Sequence, residues 1–292
     1  MEIQEWIKNI KIVEGKENGG GYTNCWDKKN LTLEINGKLA LYSNPSTGKK
    51  EETILEGNLK LEEELNRVEV LIIDETNITE LDLSECSNLE QITVEQNPLL
   101  TSIDFLNRLP NPEKLKHLEI RSNNFAATTL DFLKRFVNLE ILRLGGGADT
   151  LTIENLEMVK NQVYNKFYGS LEPLKNLKEL RELDISDTDI DSGLEYLNRE
   201  MEWRNFSCGV WLRPDAKCRE LQVEKSKYEP SSKIVLRVRQ KRVIRSQTRK
   251  STKAFGWFGL LGIVLIGLLV AYHFLFKKKV KVNPLPPKSR LK

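Results

Sequence analysis

Apolar residues recur in this chain with three different rhythms, and each predicts a different element. Ile3, Trp6, Ile7 and Ile10 share one side of a helical wheel, which predicts a short amphipathic helix at the start. In LTLEINGKLALY, residues 31–42, apolar and polar positions alternate on both sides of Asn36-Gly37. That pattern predicts two short strands joined by a type I′ hairpin. From residue 68 onward a longer pattern repeats, L-x-x-L-x-L-x-x-N/T-x-L. Val68, Leu71, Ile73, Thr76 and Ile78 fit it, as do Leu89, Ile92, Val94, Asn97 and Leu99. Leu115, Leu118, Ile120, Asn123 and Phe125 follow, then Leu139, Leu142 and Leu144. Leu180, Leu183, Ile185, Thr188 and Ile190 make the fifth match, and Trp203, Phe206 and Cys208 a degenerate sixth. The frames start 21, 26, 24, 41 and 23 residues apart.

The x-L-x-L alternation is a strand signal, not a helical one, because it sends alternate side chains to opposite faces. A strand repeated every 20–29 residues is the signature of a leucine-rich-repeat solenoid. The expected fold is therefore α/β: short parallel strands on the concave face, helices and turns on the convex face, and one C-terminal transmembrane helix. No repeat buries its apolar face alone, so both ends need caps. The Asn or Thr at the strand exit should bond turn backbone that is otherwise unpaired inside the stack. Repeat four has Gly145, Gly146 and Gly147 there and lacks that side chain. In the 41-residue step, Ile153, Leu156, Val159, Val163 and Phe167 recur at helical spacing. They predict a convex helix of about four turns filling the core behind a wider repeat. RPDAKCRELQVE, with Pro214 near its start, reads as a closing helix. The expected layout is an N-terminal cap (1–52), the repeats (53–212), a C-terminal cap helix (213–229), a basic linker (230–253), a membrane span (254–276) and a short basic tail (277–292).

Residues 52–225 resemble leucine-rich-repeat proteins. More narrowly, LEGNLKLEEEL, ITELDLSECSNLEQI, LTSIDFLNRLPNPEKLKHLEI and RELDISDTDIDSGLEYL are similar to expanded fungal leucine-rich-repeat families. The resemblance implies relatives fused to protein kinases. This chain has no H-R-D, no D-F-G and no Gly-rich loop before a strand lysine, so kinase activity does not carry over.

Charge separates the chain into two parts. It holds 45 Lys/Arg and 42 Asp/Glu, a net +3. Residues 230–292 contain 16 Lys/Arg and no acid, so they carry +16 and the first 229 residues −13. Within the basic part, Ala254 to Phe276 runs 23 residues without Asp, Glu, Lys or Arg. As a helix that run is ~34 Å long, enough for a ~30 Å hydrocarbon core. Trp257 and Tyr272 sit near its ends, where amphipathic rings favour the headgroups. No apolar stretch opens the chain, so a tail-anchored protein with cytosolic repeats is expected. The endoplasmic reticulum, the mitochondrial outer membrane and the peroxisome all fit. Cys25, Cys86, Cys208 and Cys218, widely spaced and without CxxC, suit a reducing compartment. Sequons at Asn30, Asn77 and Asn205 occur at about the chance level and do not argue for the lumen.

Candidate chemistry is sparse. With only His117 and His273, a His-based triad or a paired-His zinc site is unavailable before the apolar run. DTDIDSG at 187–193 opens like a calcium loop but has Ser192 and Asn198 where such a loop needs Gly and Glu. No cofactor, no metal and no enzymatic activity are expected.

The remaining candidate is surface. The non-leucine strand positions face the concave side, where solenoids bind partners. Ile72, Thr93, Glu119, Arg143 and Asp184 form the central column, with His117 and Glu182 on one flank and Arg121 on the other. Mixed charge and apolar groups suit a protein partner better than a nucleic acid. Arg237, Arg239, Lys241, Arg242, Arg245, Arg249, Lys250 and Lys253 are candidates for anionic lipid headgroups. A nuclear-import reading of RQKRVIRSQTRK competes with this. At the level of function, the expectation is a membrane-anchored interaction scaffold. A receptor-like protein with external repeats and a non-catalytic kinase regulator are the alternatives.

Overall fold

The computed structural model describes residues 1–13, 24–37, 41–43, 50–52, 54–146, 152–198 and 203–222. The chain divides into two units, Met1–Pro230 and Ser231–Lys292. The second unit lies outside the described residues, and with it the basic stretch, the apolar run and all eight headgroup candidates. Among the described residues no helix is long and apolar enough to cross a membrane.

The first unit is a repeat solenoid built on one nine-stranded sheet. Its strands are β1 (Lys11–Val13), β2 (Cys25–Asp27), β3 (Thr32–Asn36), β4 (Val70–Asp74), β5 (Gln91–Glu95), β6 (His117–Glu119), β7 (Ile141–Arg143), β8 (Glu182–Asp184) and β9 (Asn205–Ser207). Neighbours pair in chain order and in parallel, except the antiparallel β2–β3 pair. One register row joins Leu33, Leu71, Ile92, Leu118, Leu142, Leu183 and Phe206, and every member is buried. Each leucine-sized side chain withdrawn in this way contributes about 1.5–3 kcal/mol. Behind the row, Phe125 packs against Phe105 and Phe167, at ring-centroid distances of 6.3 and 6.0 Å.

The convex side is made of short pieces, mostly single 3₁₀ turns such as Glu63–Arg67, Pro112–Lys114, Asp131–Arg135 and Glu172–Leu174. Repeats of 21–26 residues leave little chain for an α-helix once strand and turns are built. The tighter i→i+3 turn fits the remainder.

A polar ladder joins the strand exits. Asn97 Oδ1 accepts from Thr76 N (3.1 Å) and Thr76 Oγ1 (2.6 Å). Asn123 Oδ1 accepts from Asn97 N (3.0 Å), and its Nδ2 donates to Val94 O (2.8 Å). The residues before Thr76, Asn97, Asn123 and the matching Thr188 are left-handed: Glu75, Gln96, Ser122 and Asp187 have φ between 51° and 58°. That conformation costs a non-glycine residue about 1–2 kcal/mol, so the turn persists because the ladder bonds over-determine it.

Five expectations need correction. The glycine exit of repeat four does not leave the ladder open. Asn165 donates to Ile120 O (2.6 Å) and Leu144 O (3.1 Å) and accepts from Phe125 N (3.3 Å). Gly145 is required for another reason: a Cβ there would lie 1.5 Å from the Ser186 carbonyl oxygen. The inserted helix, α2 (Ile153–Lys160, with α1 being Ile3–Ile7), has eight residues and does not fill the core. Ile153 is 74% exposed, because the chain returns to the stack only at Asn165 and Phe167. The Asn36-Gly37 hairpin does not form. β3 pairs with β2 and β4 instead, since Leu33 and Ile35 extend the core rows, while Leu41–Ser43 pairs with Lys50–Glu52. The closing helix is a 3₁₀ segment, Lys217–Gln222, with the residues after 222 outside the described ones. In repeat two, Leu100 rather than Leu99 enters the core.

Candidate functional site

Strand alternation turns Ile72, Thr93, Glu119, Arg143 and Asp184 to the concave side in one register row. Parallel strands lie about 4.8 Å apart, so side chains of adjacent rows reach one another. Five of the eight candidates form a continuous ionic strip with Glu95. Arg121 Nε donates to Glu95 Oε1 (2.7 Å), and Arg121 Nη2 meets Glu119 Oε1 (2.5 Å). Arg143 Nη1 donates to Glu119 Oε2 (3.0 Å) and Arg143 Nη2 to Glu182 Oε2 (3.1 Å). His117 Nε2 lies 3.3 Å from Glu119 Oε2. The order Glu95–Arg121–Glu119–Arg143–Glu182 alternates in sign across four strands or strand exits.

Burial along the strip is graded. The Glu119 and Arg121 side chains are 7% and 9% exposed, whereas Arg143 is 30% exposed. The centre is therefore an internal salt-bridge cluster, and only its rim is offered to solvent. Burial pushes the Glu95 carboxyl up to about 8, helped by the Glu119 carboxylate beside it and opposed by Arg121. Burial also pushes Glu119 upward. There the hydrogen bonds from His117 and Glu95, with the charges of Arg121 and Arg143, outweigh it and hold Glu119 well below the usual range. The two carboxyls are therefore pushed in opposite directions, Glu95 up and Glu119 down.

The other three candidates are Ile72, Thr93 and Asp184, in the same register row as Glu119 and Arg143 of the strip. Ile72 and Thr93 continue its row onto β4 and β5. Asp184 is buried, and its Oδ1 accepts from Ser186 N (2.9 Å), so it shapes its own strand exit. Glu95 belongs to the flanking column that contains Arg121. Its i, i+26 spacing to Arg121 was the available signal.

A second polar cluster lay outside the expected site. Asp187 Oδ1 accepts from the N–H groups of Trp211 (2.8 Å), Leu212 (3.1 Å) and Arg213 (3.0 Å). Arg213 is buried. It donates to both Asp189 oxygens at 3.2 Å and stacks 4.0 Å above the Tyr164 ring. The acidic DTDIDSG run thus closes the last repeat. Among the described residues no group of three or more His, Cys, Asp or Glu is placed to hold a metal.

No family model matches the chain, and no curated protein matches it. Eight solved chains do. One is the leucine-rich-repeat ectodomain of the receptor kinase SOBIR1 from Arabidopsis thaliana. It is 17% identical, covers 58% of this chain and 76% of its own, and has a TM-score of 0.30.

Proposed function

We propose that this chain is a non-enzymatic protein-interaction module whose concave strip receives a partner. The observation that carries this reading is the ionic strip itself. It crosses successive repeats, is ordered by side-chain contacts, and ends on a partly exposed rim at Arg143 and Glu182, 30% and 18% exposed. A partner that supplies one charged group can exchange with a rim contact without exposing the core. Acids and bases alternate there, which favours a protein surface over a polyanion.

We further propose that residues 254–276 hold the module in a membrane, that the basic flank contacts anionic headgroups, and that the repeats face the cytosol. The uncharged 23-residue run supports the first point. Four buried free thiols support the last. Affinity with the fungal leucine-rich-repeat families rests on the motif resemblance.

Imaging an N-terminal fluorescent fusion with and without residues 230–292 tests the anchoring. Organelle-surface fluorescence that becomes diffuse on truncation is expected, and unchanged distribution contradicts it. Protease treatment of intact cells tests the topology: cleavage of the repeats would place them outside.

A further inference from the structure

The core row does not stop at Leu33. Antiparallel pairing places Trp26 beside Leu33, and parallel pairing places Ile12 beside Trp26. Side chains in one register row face the same side of the sheet. Trp26 is 2% exposed, yet Ile12, at the end of that row, is 54% exposed. A cleft of about 360 Å³ opens there, with Ile7, Ile10, Ile12, Trp26 and Leu65 along its apolar side. The other end of the sheet is closed: the segment after β9 buries Leu212, Ala216, Cys218 and Leu221.

Two further observations define what fits the open end. First, β1 is the edge strand of the sheet, and among the described residues no strand pairs with its outer side. An open edge offers main-chain donors and acceptors to another strand. Second, the charges beside the cleft are matched locally. Lys8 contacts Glu5 (2.7 Å), and Lys60 contacts Glu62 (3.7 Å) and Glu85 (2.9 Å). A patch of one sign selects an oppositely charged partner and repels its own copy. A locally balanced patch does neither, so it tolerates apposition to itself.

We propose that this end is a two-fold interface, in which β1 pairs antiparallel with β1 of a second copy about an axis at Ile12. A second copy supplies what the end lacks: a three-residue edge strand and an apolar side chain at the matching register position. Such an axis keeps the faces of the sheet, so the two Ile12 side chains stand opposite each other on the core side. Their Cβ atoms then lie about 4.5–5.5 Å apart, and the core row continues from one copy into the other. Because the C-terminal end is closed, pairing stops at two copies. This assignment is independent of the concave-face reading.

Disulfide trapping of the full chain in detergent tests it. The four native cysteines are buried, so mild oxidation should leave the parent uncrosslinked. Ile12→Cys should give a covalent dimer in most of the protein, since the axis brings the two sulfurs within bonding reach. Lys11→Cys should not, because position 11 lies opposite position 13 of the second copy, two residues from its own equivalent. Ile12→Glu changes only an exposed side chain and keeps the fold. It sets two carboxylates against each other, and should weaken the dimer at least about tenfold in light scattering. Ile12→Cys crosslinking no better than Lys11→Cys, or Ile12→Glu associating as the parent does, would overturn the proposal.

Discussion

Two polar rows run across the repeats side by side, and they differ in every physical respect except direction. The exit ladder of Thr76, Asn97, Asn123 and Asn165 is neutral and buried, and its bonds go largely to backbone. The concave strip from Glu95 to Glu182 is ionic, bonds side chain to side chain, and opens toward solvent at one end. A backbone group inside the stack has nothing else to bond, so the ladder cannot be exchanged. A rim ion pair has water and any incoming charge as alternatives. The ladder therefore carries stability, and the strip is the part free to carry recognition.

The largest effect should come from the ladder. Asn123→Ala removes the acceptor of Asn97 N and the donor to Val94 O, leaving both buried. About 3 kcal/mol of stability should be lost in chemical denaturation. Asn165→Ala should cost a similar amount, about 2–3 kcal/mol, because it bonds two carbonyls that no other ladder residue reaches. An Asn165 variant as stable as the parent would show that the insertion does not complete the ladder.

The buried centre of the strip comes next. Glu119→Ala strands two guanidiniums that are part-buried or buried, and should cost about 3 kcal/mol, a loss that Glu119→Gln reduces. If both variants melt with the parent, the cluster is no more than surface charge.

A pH effect should be smaller and specific. Glu95 has its folded value raised from an ordinary 4.5 to about 8. The folded chain therefore keeps a proton that the unfolded chain releases. That contribution is complete below pH 4.5 and is lost as the pH rises toward 8. Glu119 is shifted the other way, so its contribution is complete above 4.5 and is lost on acidification. Glu95→Gln should flatten the alkaline limb of the stability profile and leave the acid limb in place. Equal slopes in parent and variant would assign that limb to another group.

Much of this contrast is legible in the amino-acid sequence. Alternation placed Leu71, Ile92, Leu118, Leu142 and Leu183 in one core row, and their neighbours on the concave face, because strand geometry leaves no other choice. The same logic failed at Asn36-Gly37, where a turn dipeptide was outweighed by the core demand of Leu33 and Ile35. Asn165 was illegible because it lies 21 residues beyond Leu144, whose carbonyl it serves, and follows a helix that interrupts the period. The strip's members could be read from register, but not its internal pairing or the opposite shifts of its two central carboxyls. Those depend on burial, and burial puts Glu119 inside and Arg143 on the rim.

The smallest stability effect belongs to that rim, and it bears most directly on the division of labour. Arg143→Gln removes the partly exposed link between Glu119 and Glu182, and because Arg121 and His117 still face Glu119 it should cost about 1 kcal/mol. The decisive measurement pairs its melting temperature with quantitative partner capture by mass spectrometry, beside the ladder variant Thr76→Val. Arg143→Gln should melt within a few degrees of the parent and lose its captured partner at least about tenfold, a loss of 1.4 kcal/mol in binding. Thr76→Val should melt lower and keep that partner. An Arg143→Gln protein with an unchanged partner set would contradict the assignment of recognition to the strip.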